Sequence, residues 1–185
     1  PGQIAPRLQN LGNHKFNVTT NSDRAQLFIS QAMMLVYGFN HAEATRSFRE
    51  AARLDPNCAM AYWGMALVLG PNINMAMAPE AEPKAYELIQ KAIALKKNVS
   101  EKEQAYINAL AARYTDTENP DRTALDHSYA EAMRELHNRY PEDLDAATLY
   151  AEAVMDLRPW SLTASRFMGD THTTMAAAGT ATSGN

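Results

Sequence analysis

Apolar and small residues return along this chain at the three- and four-residue steps of an amphipathic helix, and one such pattern returns again as a block. Ala25, Phe28, Ala32 and Leu35 recur 34 positions later as Ala59, Tyr62, Ala66 and Leu69. Between the two blocks Ala44, Phe48, Ala51 and Ala52 mark a second helix, which Pro56 terminates. The pattern predicts helices over 23–37, opened by the cap residue Ser22, and over 41–54, joined by the turn Gly38-Phe39-Asn40. A third helix over 59–69 must stop at Gly70-Pro71. The stretch 72–79 then delays its partner, expected at 80–96, so that Ala85, Ile89 and Ala92 fall seven positions later than strict periodicity. Ser100 with Glu103 makes a capping box for a fifth helix ending near Tyr114. Asn119-Pro120 opens a sixth, with Tyr129, Met133 and Leu136 facing inward and Pro141 closing it. Residues 145–157 then match 58–70 position by position: Leu149 for Tyr62, Tyr150 for Trp63, Ala153 for Ala66, Val154 for Leu67. This seventh helix has no second-helix pattern after it, so its apolar face near Leu149 and Val154 needs some other cover.

The period and the residue types are those of a tetratricopeptide (TPR) repeat. The segments Gly38-Phe39-Asn40-His41-Ala42-Glu43-Ala44, 47–56 (SFREAARLDP), 59–64 (AMAYWG) and Gly70-Pro71-Asn72-Ile73-Asn74 resemble a bacterial group of TPR proteins, and the likeness runs through 100–106 and 157–160. It covers most of 14–160 and fails beyond Trp160. The expected fold is therefore all-α: a TPR-like right-handed stack of antiparallel helix hairpins, about three and a half repeats long. Residues 1–21 form an extended N-terminal lead-in anchored by Phe16 and Val18, 22–160 the helical repeat domain, and 161–185 a low-complexity tail rich in Thr, Ala, Gly and Ser. The resemblance implies a binding scaffold and no particular chemistry.

Bulk properties narrow this little further. With 185 residues, 46% of them hydrophobic, the chain can bury one sizeable core. A net charge of -4 and scattered Lys and Arg argue against a nucleic-acid surface. No apolar run reaches the roughly 20 residues of a membrane span, and no signal peptide is visible. Because the sequence opens on Pro1, the expectation is a soluble protein, either cytoplasmic or exported with a leader already removed. The lone Cys58 beside Ala59 reads as a small buried residue rather than a reactive thiol.

Two constellations are candidates for binding. In a repeat array the second, fifth and ninth positions of each first helix line the concave face. Here these are Gln26, Ile29 and Met33, then Met60, Trp63 and Leu67, and in the partial repeat Ala147, Tyr150 and Val154. Such an apolar groove lacks the Lys, Arg or Asn of a carboxylate clamp. It suits an apolar partner segment, another copy of the chain, or the chain's own ends folded into it, with Trp63 either an interface anchor or an ordinary core residue. The second constellation is polar: Asn40 and His41 at one turn, Asn72 and Asn74 at another, a possible ligand pocket unless they cap their own turns.

Chemistry is otherwise sparse. His14, His41, His127, His137 and His172 share no ligand spacing, and Met75 with Met77 is the one soft-metal candidate, so no metal and no cofactor are expected. Glu101 with Glu103 and Asp143 with Asp145 suit helix starts without catalysis. No nucleophile elbow, phosphate loop or metalloprotease motif is present, so no catalytic residue is assigned and the chain reads as a non-enzyme. The leading expectation is a protein-protein interaction or self-assembly scaffold, with the tail 161–185 as a possible connector into a homo-oligomer or filament. The alternative is a small-molecule or metal-binding accessory domain of a larger enzyme or complex.

Overall fold

The computed structural model describes residues 2–158, and among them the chain is helical with no strand. Seven helices follow one another: α1 Asp23–Tyr37, α2 His41–Leu54, α3 Ala59–Leu67, α4 Glu82–Leu95, α5 Glu101–Ala111, α6 Arg122–Arg139 and α7 Leu144–Asp156. One-turn 3-10 segments precede and follow α4, at Pro79–Ala81 and Lys96–Asn98. The expected tail 161–185, with Pro159, Trp160 and His172, lies outside the described residues.

Local chemistry sets the helix starts. Ser22 accepts from the Ala25 amide, Asn40 from Glu43 and Asp121 from Ala124, each pairing an amide that the first turn leaves free. Ser100 and Glu103 form the full capping box. α3 ends at Leu67, two residues before its sequence signal, because the chain tightens into successive i→i+3 bonds (Leu69 to Ala66, Gly70 to Leu67) before Pro71. α5 tightens in the same way after Ala111, through Arg113 and Tyr114. α6 begins at Arg122, since Asp121 rather than Asn119-Pro120 supplies the cap.

Each helix packs on the next, most extensively within the pairs α1–α2, α3–α4 and α6–α7. α1 also lies against α3, and α3 against α5, which places these three side by side. Close contact is bought with small residues: a Cβ on Gly64 of α3 would sit 2.1 Å from the Phe48 ring of α2. Buried Arg113, just after α5, ties down the chain where it leaves α3 at Pro71. Its guanidinium donates to the Pro71 carbonyl (3.0 Å), pairs with Asp156 (2.8 Å) and Asp126 (3.4 Å), and lies over the Tyr129 ring at 4.4 Å.

Candidate functional site

The face shared by α1, α3 and α5 is closed rather than open. Ile29, Met33 and Met60 are fully buried, Leu67 is buried, and Trp63 is 1% exposed. The Trp63 indole N–H donates to the Tyr106 carbonyl at 3.1 Å. Phe16 of the lead-in stacks on Trp63, centroids 5.7 Å apart at 5°, and meets Tyr106 edge-on at 5.6 Å and 79°. Three aromatic rings from three distant segments thus form one cluster in geometries that ring quadrupoles favour.

Polar side chains hold the lead-in extended over that cluster. Gln26 donates through Nε2 to the Phe16 carbonyl (2.7 Å) and accepts at Oε1 from the Val18 amide (2.9 Å). A carboxamide spans the gap between a carbonyl and the amide two residues on, so one side chain brackets an extended backbone. Gln31 repeats this bracket upstream, with Pro6 O at 3.0 Å and Leu8 N at 2.8 Å. Glu103 accepts from the Thr19 amide (2.7 Å) and hydroxyl (2.6 Å), and Glu50 accepts from the Ile4 amide (2.8 Å). Between the brackets residues 9–15 arch over α1, with Asn10 and Gly12 at φ 63° and 93°, above a concavity of about 750 Å³.

The remaining two groove candidates sit elsewhere. On α7, Tyr150 stacks on His137 of α6 at 5.9 Å, while Val154 is 44% exposed. α7 buries Ala146, Leu149 and Ala153 and leaves its opposite stripe open. Leu144, Ala147, Thr148, Ala151, Glu152 and Met155 on that stripe, with Val36, Tyr37 and Phe39, line a groove of about 610 Å³. Leu144 and Phe39 are 78% and 49% exposed. Asp145 ties the two walls together: the Tyr37 hydroxyl donates to its Oδ1 at 2.5 Å, and His14 Nε2 of the lead-in meets the same oxygen at 2.9 Å.

Two carboxyls are perturbed here, Glu152 on the groove wall and Asp156 one turn on, outside its lining. Burial, with Asp156 nearby, pushes Glu152 up to about 7. Burial likewise pushes Asp156 up to about 6 against the pull of Arg113. The sign is that of desolvation disfavouring the charged form.

The polar constellation comes together only in part. Asn40 caps α2, and Asn72 Oδ1 accepts from the Asn74 amide at 2.9 Å, so both serve their own turns. Asn72 Nδ2 also reaches His41 Nδ1 at 3.5 Å. His41 Nε2 is buried without a hydrogen-bond partner, and burial lowers the pKa of that ring. Cys58 is buried, its thiol pushed up to about 11 by burial. Among the described residues no three His, Cys, Asp or Glu side chains converge on a point that would hold a metal ion. Met75 is 66% exposed, and Met77 lies beside Arg122.

Sequence reasoning missed the brackets of Gln26 and Gln31, the Glu103 anchor and the His14–Asp145–Tyr37 junction. Glu103 and Asp145 carried a complete local explanation as helix-start carboxylates, which hid their long-range bonds. Gln31, placed where an apolar residue would be expected on the buried side of α1, was the one available signal. Comparison with protein-family models, with curated proteins and with solved structures finds no match, so the functional reading rests on this geometry.

Proposed function

We propose that the chain is a non-enzymatic protein-interaction scaffold built on TPR-like helix hairpins, with the α7 groove as its docking surface. The pairing of successive helices and the 34-residue recurrence support the repeat reading. The expected concave face holds the chain's own lead-in, so the surface left for a partner is the stripe of α7 facing Val36, Tyr37 and Phe39. One observation carries this: Phe39 and Leu144, large apolar side chains exposed at about half or more, lie on a single groove instead of being scattered.

The occupant that fits is an amphipathic helix. Small side chains at Ala147, Thr148 and Ala151, with Leu144 and Met155 at the ends, make a shallow trough about 16 Å long at 1.5 Å per residue. Helices seat apolar ridges in such troughs. Panning a displayed library of helical peptides against the full chain tests the reading. The expected result is a set of helices that protect 144–155 from hydrogen exchange and lose binding to Ala151→Arg. Enriched helices that protect other segments, or no enrichment, would refute it.

A further inference from the structure

We infer that the helix docking on α7 carries a lysine or arginine, one turn from its central apolar residue, that pairs with the Glu152 carboxylate. This rests on the α7 groove being the docking surface. Glu152 is the one charged residue among those lining the groove, and the other eight are apolar or neutral. Among the described residues its carboxylate takes part in no hydrogen bond or ion pair, although Arg113 lies close enough to be felt. Arg113 is already committed to Asp156, Asp126 and the Pro71 carbonyl, and stacks on Tyr129, so it has no direction left to offer.

A carboxylate at the edge of an apolar trough disfavours a purely apolar ligand. Covering it with hydrocarbon completes its desolvation and leaves it either protonated or charged without a partner. A cation delivered by the ligand removes that penalty. The groups acting on Glu152 are Asp156 on α7 and Arg113 after α5, and Glu152 in turn raises the pKa of the Tyr129 hydroxyl on α6. Burial raises the Glu152 pKa to about 7, so near neutral pH the group is partly protonated, and pairing with an arriving cation releases that fraction of a proton.

The test uses the full chain and one helical peptide of the selected set, made in two versions that differ only at the position facing Glu152: lysine in one, norleucine in the other. Titration calorimetry at pH 7 in two buffers of different ionisation enthalpy reads affinity and proton release together. The lysine peptide is expected to bind about tenfold more tightly and to release a fraction of a proton. With Glu152→Gln, a neutral isostere whose fold is checked by circular dichroism, both the preference and the release vanish while the norleucine peptide still binds. Equal affinities for the two peptides, both still protecting 144–155, overturn the inference and leave the docking surface standing. A preference that survives Glu152→Gln also overturns it. Failure of every helix to bind α7 overturns the docking surface itself.

Discussion

Replacing Phe16 with alanine isolates the bond between the lead-in and the helices. Phe16 is 5% exposed, stacks on Trp63 and meets Tyr106 edge-on. Deletion of a buried Phe side chain costs about 3–5 kcal/mol, of which each aromatic pair supplies about 0.5–1.5. The brackets from Gln26, Glu103 and Gln31 remain, so the segment has two routes: to stay bound over a cavity, or to peel away and expose Trp63. Either route lowers stability by about 3 kcal/mol or more, equivalent to a Tm fall of about 6–12 °C for a chain of this size. Urea unfolding followed by far-UV circular dichroism gives the loss. The m-value separates the routes, since a peeled lead-in leaves less surface to expose and lowers m. Near-UV circular dichroism reports the packing of the aromatic cluster. Phe39→Ala, a change at a half-exposed ring, is the control and should stay within about 0.5 kcal/mol. If Phe16→Ala matches that control with an unchanged near-UV spectrum, the lead-in is not seated on α3 and α5 and the closed-face description is wrong.

Three further outcomes follow from named contacts. Gly64→Ala drives a methyl to within 2.1 Å of the Phe48 ring; overpacking of about 1–3 kcal/mol outweighs the gain of about 1 kcal/mol in helix propensity, and urea unfolding should show partial rescue by a second change, Phe48→Leu. Arg113→Met strands Asp156 beneath α6 and α7, while Asp126 keeps Arg122 at 3.1 Å; the expected loss is about 3–5 kcal/mol, which Arg113→Met combined with Asp156→Leu recovers in part. Glu152 has a folded-state pKa raised from 4.5 to about 7, so the native state binds the extra proton and stability falls as pH rises through that interval. Thermal melts of wild type and Glu152→Gln between pH 5 and 8 should show a shallower decline in the variant, and identical slopes would remove Glu152 from the linkage.

The helices were legible wherever a cap or a breaker had a local cause. Ser22, Asn40 and the Ser100–Glu103 box open their helices where the sequence places them, and α1 and α2 have their expected bounds. Ends were less legible because 3-10 tightening after α3 and α5 leaves no residue-level signature. The groove positions show a deeper limit. Periodicity assigns Ile29, Met33, Met60, Trp63 and Leu67 to one face, and the structure keeps them on one. Whether that face is open depends on Phe16, forty-seven positions from Trp63, held there through Gln26, whose amide looks like ordinary helix polarity, and upstream through Gln31, the one glutamine out of place on the apolar side of α1. Tyr150 and Val154 occupy positions equivalent in sequence yet part from the others: α7 buries Ala146, Leu149 and Ala153, the counterparts of Ala59, Tyr62 and Ala66, while Val154 stays 44% exposed and Tyr150 stacks on His137, away from the aromatic cluster under the lead-in.

The lead-in also changes how the molecule comes apart. In a stack of helical repeats each unit touches only its neighbours, so ends fray independently and stability adds up unit by unit. Here one thread of twenty residues joins α2 through Ile4, α1 through Leu8 and Val18, α5 through Thr19 and α7 through His14. Tyr37 of α1 also bonds Asp145 of α7 directly, so loosening α7 loosens both that bond and a strap that holds α1, and the first and last described helices share one fate. Amides of α1 and α7 should exchange with solvent through the same global opening rather than by separate fraying, which makes the described helices a single cooperative unit.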